Sequence, residues 1–274
     1  MRVLSVFASD ADNLPGLMHA LAHQYRPEST DSTFVPDDVW SLGYYAQGRA
    51  LIIRKPAELV DSRHFFQLAD KLRSRVLLGA VNELQSSTEH APPYRFRSWL
   101  FTTHGETSSL EAIRDRVVER LPDFICSELR LESGAELGLA MFLRELHERS
   151  ILDNPLVTPR LLAEALNNTA RSVESLLAEA NLVPQFAMLA TNGSCNLVHS
   201  FTESLTWRLQ EGLDRGPDGV PDSSLTNFNQ VVEGLKRFRA IVITDLEGSL
   251  HPARKVIRVG ETAYIDKALN LSYL

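Results

Sequence analysis

Residues 98 to 105 read Ser-Trp-Leu-Phe-Thr-Thr-His-Gly, an apolar run that closes on two hydroxyls, an imidazole and a glycine. A histidine delivered by the end of a buried strand can serve as a general base or a metal ligand, or it can fill space through a local hydrogen bond. No second histidine, cysteine or carboxylate stands at ligand spacing from His104, which favours the local role. His90 and Glu89, in the 84 to 94 loop, are the groups a fold could swing toward it. Ser5 and Ser9 are hydroxyl nucleophiles by type, yet neither comes with an identifiable base and orienting acid. Cys126 and Cys195 lack metal-ligand spacing and read as inert, buried thiols. Arg2 is a fixed cation at the edge of the first apolar run. It could hold an anionic small molecule or a partner's carboxylate by charge-assisted hydrogen bonds. The cost of desolvating an unpaired guanidinium favours a structural plug paired with an internal acid such as Glu83.

These groups must be positioned by a folded chain, and the composition provides one. Of the 274 residues, 44% are hydrophobic and 23% charged, the balance of a soluble globular protein rather than a disordered one. A net charge of -7 offers no basic stripe for a phosphate backbone, so nucleic acid is not expected as a partner. The densest basic stretch, Lys236-Arg237-Phe238-Arg239, leads into Ala-Ile-Val-Ile-Thr and reads as the solvated lip of a strand. No apolar run approaches the roughly 20 residues that span a bilayer. Two cysteines and no leader pattern make the cytoplasm the expected compartment.

The opening run at 2 to 8 predicts a strand, and Leu14, Leu17, Met18 and Leu21 predict a helix capped by Asp12 or Asn13. Residues 39 to 45 and 50 to 55 predict a hairpin across Ala46-Gln47-Gly48-Arg49. A helix over 61 to 74, a strand over 75 to 81 and a loop over 84 to 94 follow. Helices are predicted over 107 to 121, from Ser133 to Ser150 and from Thr158 to Asn181, the last with Pro159 in its first turn. Asn192-Gly193 predicts a second hairpin, with Leu-Thr-Trp-Arg-Leu at 205 to 209 as a third strand of that meander. A loop at 214 to 224, a helix over 227 to 238 and strands at Ala-Ile-Val-Ile-Thr, Lys-Val-Ile-Arg-Val and Thr-Ala-Tyr-Ile-Asp-Lys complete the chain. Strands, then helices, then strands, with no repeat, predict one α+β domain with two sheets covered by helices.

The succession of segments resembles the class II glutamine amidotransferases, which are amino-terminal-nucleophile (Ntn) hydrolases. The resemblance is carried by the strand from residue 2, the segment DDVWSLGYYAQGRALIIRKPAEL, then SRVLLGAVNE, SWLFTTHGE, ESGAELGLAMFL and FAMLATNGSCNLVHSF. It implies a four-layer αββα sandwich with two mainly antiparallel sheets, formed by residues 1 to 274 as a single glutamine amidotransferase type 2-like domain.

The same resemblance marks four departures. The family's nucleophile is an amino-terminal cysteine whose own α-amine can act as base; this chain has Arg2, which has no nucleophilic atom and stays protonated. Ala80 and Asn82 stand where a histidine and a carboxylate-gripping arginine are expected, and Asn82 supplies no charge. The His-Asn-Gly that forms the oxyanion hole becomes Thr103-His104-Gly105. The Gly105 backbone donor is kept while the amide donor is lost, a change that costs about 100- to 1000-fold in rate. Within Ser133-Gly134-Ala135-Glu136, Gly134 replaces the aspartate that binds the substrate amine.

The expectation is a pseudoenzyme, silent as a glutaminase and without cofactor or metal, that serves as a scaffold for a protein partner or its own dimer. Two alternatives stand beside it. One is an amide hydrolase or transferase in which His104 works with a serine or water. The other is a sensor binding an anionic small molecule at Arg2 and His104.

Overall fold

The computed structural model describes residues 2–24, 38–56, 71–83, 91–213, 228–245 and 253–274. The helix expected over 61 to 74, apart from its last four positions, lies outside the described residues, as do residues 84–90 and the loop at 214 to 224. The chain divides into two compact units, residues 1–91 with 206–255 and residues 92–205 with 256–274.

In the first unit the opening run forms β1 (Val3–Ala8), buried along its whole length. It pairs antiparallel with β4 (Val76–Glu83) on one side and β10 (Arg239–Asp245) on the other. With β2 (Asp38–Ala46), β3 (Arg49–Pro56), β9 (Leu205–Glu211) and β11 (Lys255–Val256) these strands make a seven-stranded sheet in the order β11-β9-β10-β1-β4-β2-β3. The β2–β3 hairpin closes on the pair Ala46 and Arg49, with Gln47 at φ 51° and Gly48 at φ 76°. Two consecutive positive φ values define the type I′ turn whose twist suits a two-residue hairpin. Alternation along β1 sends Leu4, Val6 and Ala8 to one face. There they form a core with Leu14, Leu17, Met18 and Leu21 of α1 (Leu14–Gln24) and with Leu42, Leu77 and Val242. The turn into α1 is held by Asp10, whose carboxylate accepts from the Asp12 N–H and the Asn13 side-chain amide. The expected helix over 227 to 238 forms as α7 (Phe228–Arg237) once the helices of the second unit are numbered.

The second unit holds a six-stranded sheet in the order β13-β12-β8-β7-β6-β5. Its strands are β5 (Tyr94–Phe96), β6 (Trp99–Glu106), β7 (Gln185–Thr191), β8 (Asn196–Ser200), β12 (Thr262–Ile265) and β13 (Leu271–Tyr273). Its helices are α2 (Ser108–Ala112), α3 (Arg114–Val118), α4 (Asp123–Glu128), α5 (Gly134–Glu148) and α6 (Pro159–Glu179). Pro159 opens α6 as predicted, and Thr158 caps it. Phe101, Phe186, Met188 and Leu197 from the sheet share one core with Phe142, Leu166, Val173 and Leu177 from α5 and α6. Trp99 meets Phe142 edge to face at 5.0 Å and donates from its indole to the Leu152 carbonyl.

Three expectations are corrected. The run at 205 to 209 is a strand, but β9 joins β10 in the sheet of β1 rather than extending β7 and β8. The helix over 107 to 121 is interrupted at Ile113, whose φ of -109° and ψ of 16° separate α2 from α3. The hairpin at Asn192-Gly193 forms as expected, turning through four residues with Thr191 paired to Asn196 and Gly193 at φ 81°. There the Asn192 side-chain Oδ1 accepts from the N–H groups of Ser194 and Cys195. The run at 255 to 259 yields only the two residues of β11. The fold class stands: α+β, with two mainly antiparallel sheets. Among the described residues, no helix is long and apolar enough to cross a membrane.

Candidate functional site

Arg2, Ser5, Ser9, Ala80, Asn82 and Glu83 lie in the first unit. Arg2 directly precedes β1, and its main chain is fixed on both sides. Its N–H donates to the Asp245 carboxylate at the end of β10, and its carbonyl accepts from the Val81 N–H of β4 at 2.8 Å. Asp245 is buried. Sequence reasoning passed over it; the signal was a carboxylate closing the apolar run Ala-Ile-Val-Ile-Thr. The residue Arg2 is exposed, in contrast to the desolvated plug expected. Glu83, the acid named for that pairing, and Asn82 lie in β4, where Asn82 stands opposite Val39 of β2. Ala80 faces Val3.

Ser5 is buried in the middle of β1. Ser9 lies just beyond the other end of that strand, where its hydroxyl accepts from the Arg239 N–H at 3.0 Å. The stretch Lys236 to Arg239 is a solvated lip as expected: Arg237 pairs with Glu233 and Arg239 with Glu211, all of them largely exposed.

His104, Gly105 and Gly134 belong to the second unit. His104 is half-buried in β6, in register with Ala187 of β7. Gly105 follows at φ 102°, and a Cβ there would fall 2.4 Å from the Gln185 carbonyl oxygen. Only glycine fits a backbone so turned and so closely approached. The chain then reaches Thr107, which packs on Gly134: a Cβ on Gly134 would lie 2.3 Å from the Thr107 oxygen and 2.7 Å from its hydroxyl. The N–H of Gly134 donates to the Glu111 carboxylate at 2.9 Å. Ser133 caps the helix by accepting from the Glu136 N–H, and the buried Glu136 carboxylate reaches back to the Glu132 N–H. This is a capping box displaced by one residue. The Tyr94 hydroxyl shares a 2.8 Å hydrogen bond with Ser133. The start of α5 is therefore packed by its own chain, with Thr107 in the space a Cβ on Gly134 would take.

Of the two thiols expected to be buried, Cys195 is and Cys126 is only partly so. Cys195 is buried and free, and burial pushes it up to about 12, far from a reactive thiolate. Cys126 is half-buried against the core of the second unit. One further histidine stands out. His199 of β8 is buried; its Nδ1 lies 2.8 Å from the Thr262 hydroxyl, which donates in turn to Asn167 of α6. Nδ1 is therefore the protonated nitrogen, and Nε2 has no partner among the described residues. Burial pulls His199 down to about 4, because a proton on Nε2 would be a buried donor without an acceptor. Among the described residues, no cluster of three or more His, Cys, Asp or Glu could hold a metal ion. His90 and Glu89 lie outside the described residues.

No family model matches the sequence, and no curated relative matches it. Solved structures do share its fold. A glutamine aminotransferase class-II domain protein from Silicibacter pomeroyi matches with a TM-score of 0.59 at 14% identity, over 100% of this chain and 98% of that one. A predicted glutamine amidotransferase from Pseudomonas aeruginosa matches with a TM-score of 0.56 at 11% identity, over 96% of each chain. The likeness extends from end to end and is one of fold.

Proposed function

We propose that residues 1–274 form a single glutamine amidotransferase type 2-like domain that is silent as a glutaminase and serves in the cytoplasm as a scaffold for a protein partner or a second copy of itself. The reading needs no cofactor. The observation that carries it is Arg2. Where an Ntn enzyme presents a thiol beside a free α-amine, this chain presents a guanidinium, and the main-chain N–H that follows Met1 is taken up by Asp245. Neither nucleophile nor base is left at that position. The tight contact between Thr107 and Gly134 supports the same reading, because it excludes the carboxylate that would grip a substrate ammonium.

Treatment with a glutamine-analogue chloroketone followed by peptide mass mapping tests this reading. No adduct is expected within residues 1 to 9 of the native protein. Arg2→Cys alone should not restore glutamine hydrolysis, because Asn82, His104 and Gly134 remain. A stoichiometric adduct at the amino terminus of the unaltered protein would overturn the reading.

A further inference from the structure

The second unit carries a surface pocket of about 540 Å³ that none of the functional positions above reaches. It is lined by Arg97, Phe124, His147, Ser150, Asp153 and Asn154, with the buried Leu152 beneath them. The volume falls within the range of small-molecule sites.

Arg97 occupies the two-residue turn between β5 and β6 at φ 52°. Its guanidinium lies 5.2 Å from the Phe96 ring centre and 5.8 Å from that of Phe124, and its Nη1 donates to the Asp153 carboxylate. Two aromatic faces and one carboxylate thus fix a planar cation, and its other N–H groups have no acceptor among the described residues. A guanidinium held in this way loses little rotamer freedom when an anion docks on its free edge.

The other polar groups are also donors. The His147 ring meets Phe124 edge on at 4.9 Å, and its nitrogens have no protein partner among the described residues. The Ser150 hydroxyl likewise has none. The Asn154 carbonyl oxygen accepts from the Leu156 N–H, which leaves its NH2 as the unengaged end. Asp153 is committed to Arg97, and the carbonyls of Glu145, Leu146 and His147 at the end of α5 accept from Arg149, Ile151 and Ser150. The negative pole of α5 opposes an anion, but at an exposed helix end that effect is weaker than a charge-assisted hydrogen bond. Phe124 and Leu152 offer apolar surface beside this ring of donors.

We propose that this pocket binds a small aromatic carboxylate, its carboxylate on the free edge of Arg97 and on His147 and its ring against Phe124. Such a site is independent of the glutaminase question.

Benzoate titrated into the isotope-labelled full chain, followed by backbone and side-chain NMR, tests the proposal. Saturable shifts are expected around Arg97, Phe124 and residues 147 to 154, with none from benzylamine, which has the same ring and the opposite charge. Arg97→Gln and His147→Gln should each weaken binding by about ten-fold or more. Arg116→Gln, a surface arginine on α3 paired with Glu179, should not change it. Absence of saturation by about 20 mM, shifts centred elsewhere, equal binding of benzylamine, or unchanged affinity in His147→Gln would each overturn the proposal. His147 is exposed, so its variant tests the site even if Arg97→Gln disturbs the hairpin.

Discussion

Gly134 lies against Thr107 so closely that a Cβ on the glycine would stand 2.5 Å from the threonine Cβ and 2.3 Å from its carbonyl oxygen. The threonine follows directly from the end of β6, so the end of that strand and the start of α5 are locked to each other. Gly134→Ala should destabilise the protein by about 1–3 kcal/mol, the usual cost of forcing atoms into a packed site. Gly134→Asp should cost at least as much. Urea denaturation reads both, and an aspartate variant as stable as the parent would show that the junction has room for a substrate-binding side chain.

His199 gives the stability a pH dependence of definite sign. Its value falls from the ordinary 6.5 to about 4 on folding, because burial disfavours the imidazolium. As pH drops below 6.5 the unfolded chain takes up a proton that the folded chain refuses until about 4, so stability present above 6.5 is lost progressively across that interval. The full loss is about 3 kcal/mol. His199→Asn, whose amide can replace Nδ1 toward Thr262, should flatten the profile between pH 6.5 and 4. Denaturation midpoints measured at pH 7, 5.5 and 4.5 on both proteins make the comparison. A variant with the same slope as the parent would show that His199 is not its source.

Cys195 should resist thiol reagents in the native state, since burial holds its thiol up to about 12. Labelling with a disulfide reagent at pH 8 is expected to modify Cys126 first and Cys195 only as the second unit unfolds. Peptide mapping of a partially labelled sample identifies the order. Rapid native labelling of Cys195 would contradict its burial.

Several features of the fold were legible in the sequence. Gly48 between two apolar runs gave away its hairpin, because glycine takes the positive φ of a two-residue turn without steric cost. The stripe of α6 and its Thr158-Pro159 start were equally plain. The assignment of β9 was not, because an apolar alternation says that a segment is a strand without saying which sheet it joins. β5 and β13 have three residues each, too few for any period to show, and the β5–β6 turn places Arg97 rather than glycine at positive φ. The break at Ile113 is invisible in a run whose apolar spacing continues through it.

The candidate site was legible only as residue types. Arg2 and Gly134 could be read from their positions, but Asp245 and Thr107, which contact them, lie 243 and 27 residues away and match no motif. The pocket around Arg97, Phe124, His147 and Asp153 was missed for the same reason: its members come from a turn, two helices and a loop, and only the fold gathers them.

Release of ammonia from L-glutamine by the purified protein is the decisive test of a silent glutaminase site. A coupled assay sensitive to a single turnover per chain should give a rate no greater than that of the heat-unfolded control. Sustained, saturable ammonia production by the folded protein would show the site to be live, since neither the Arg2 guanidinium nor the amide tied to Asp245 can begin that reaction.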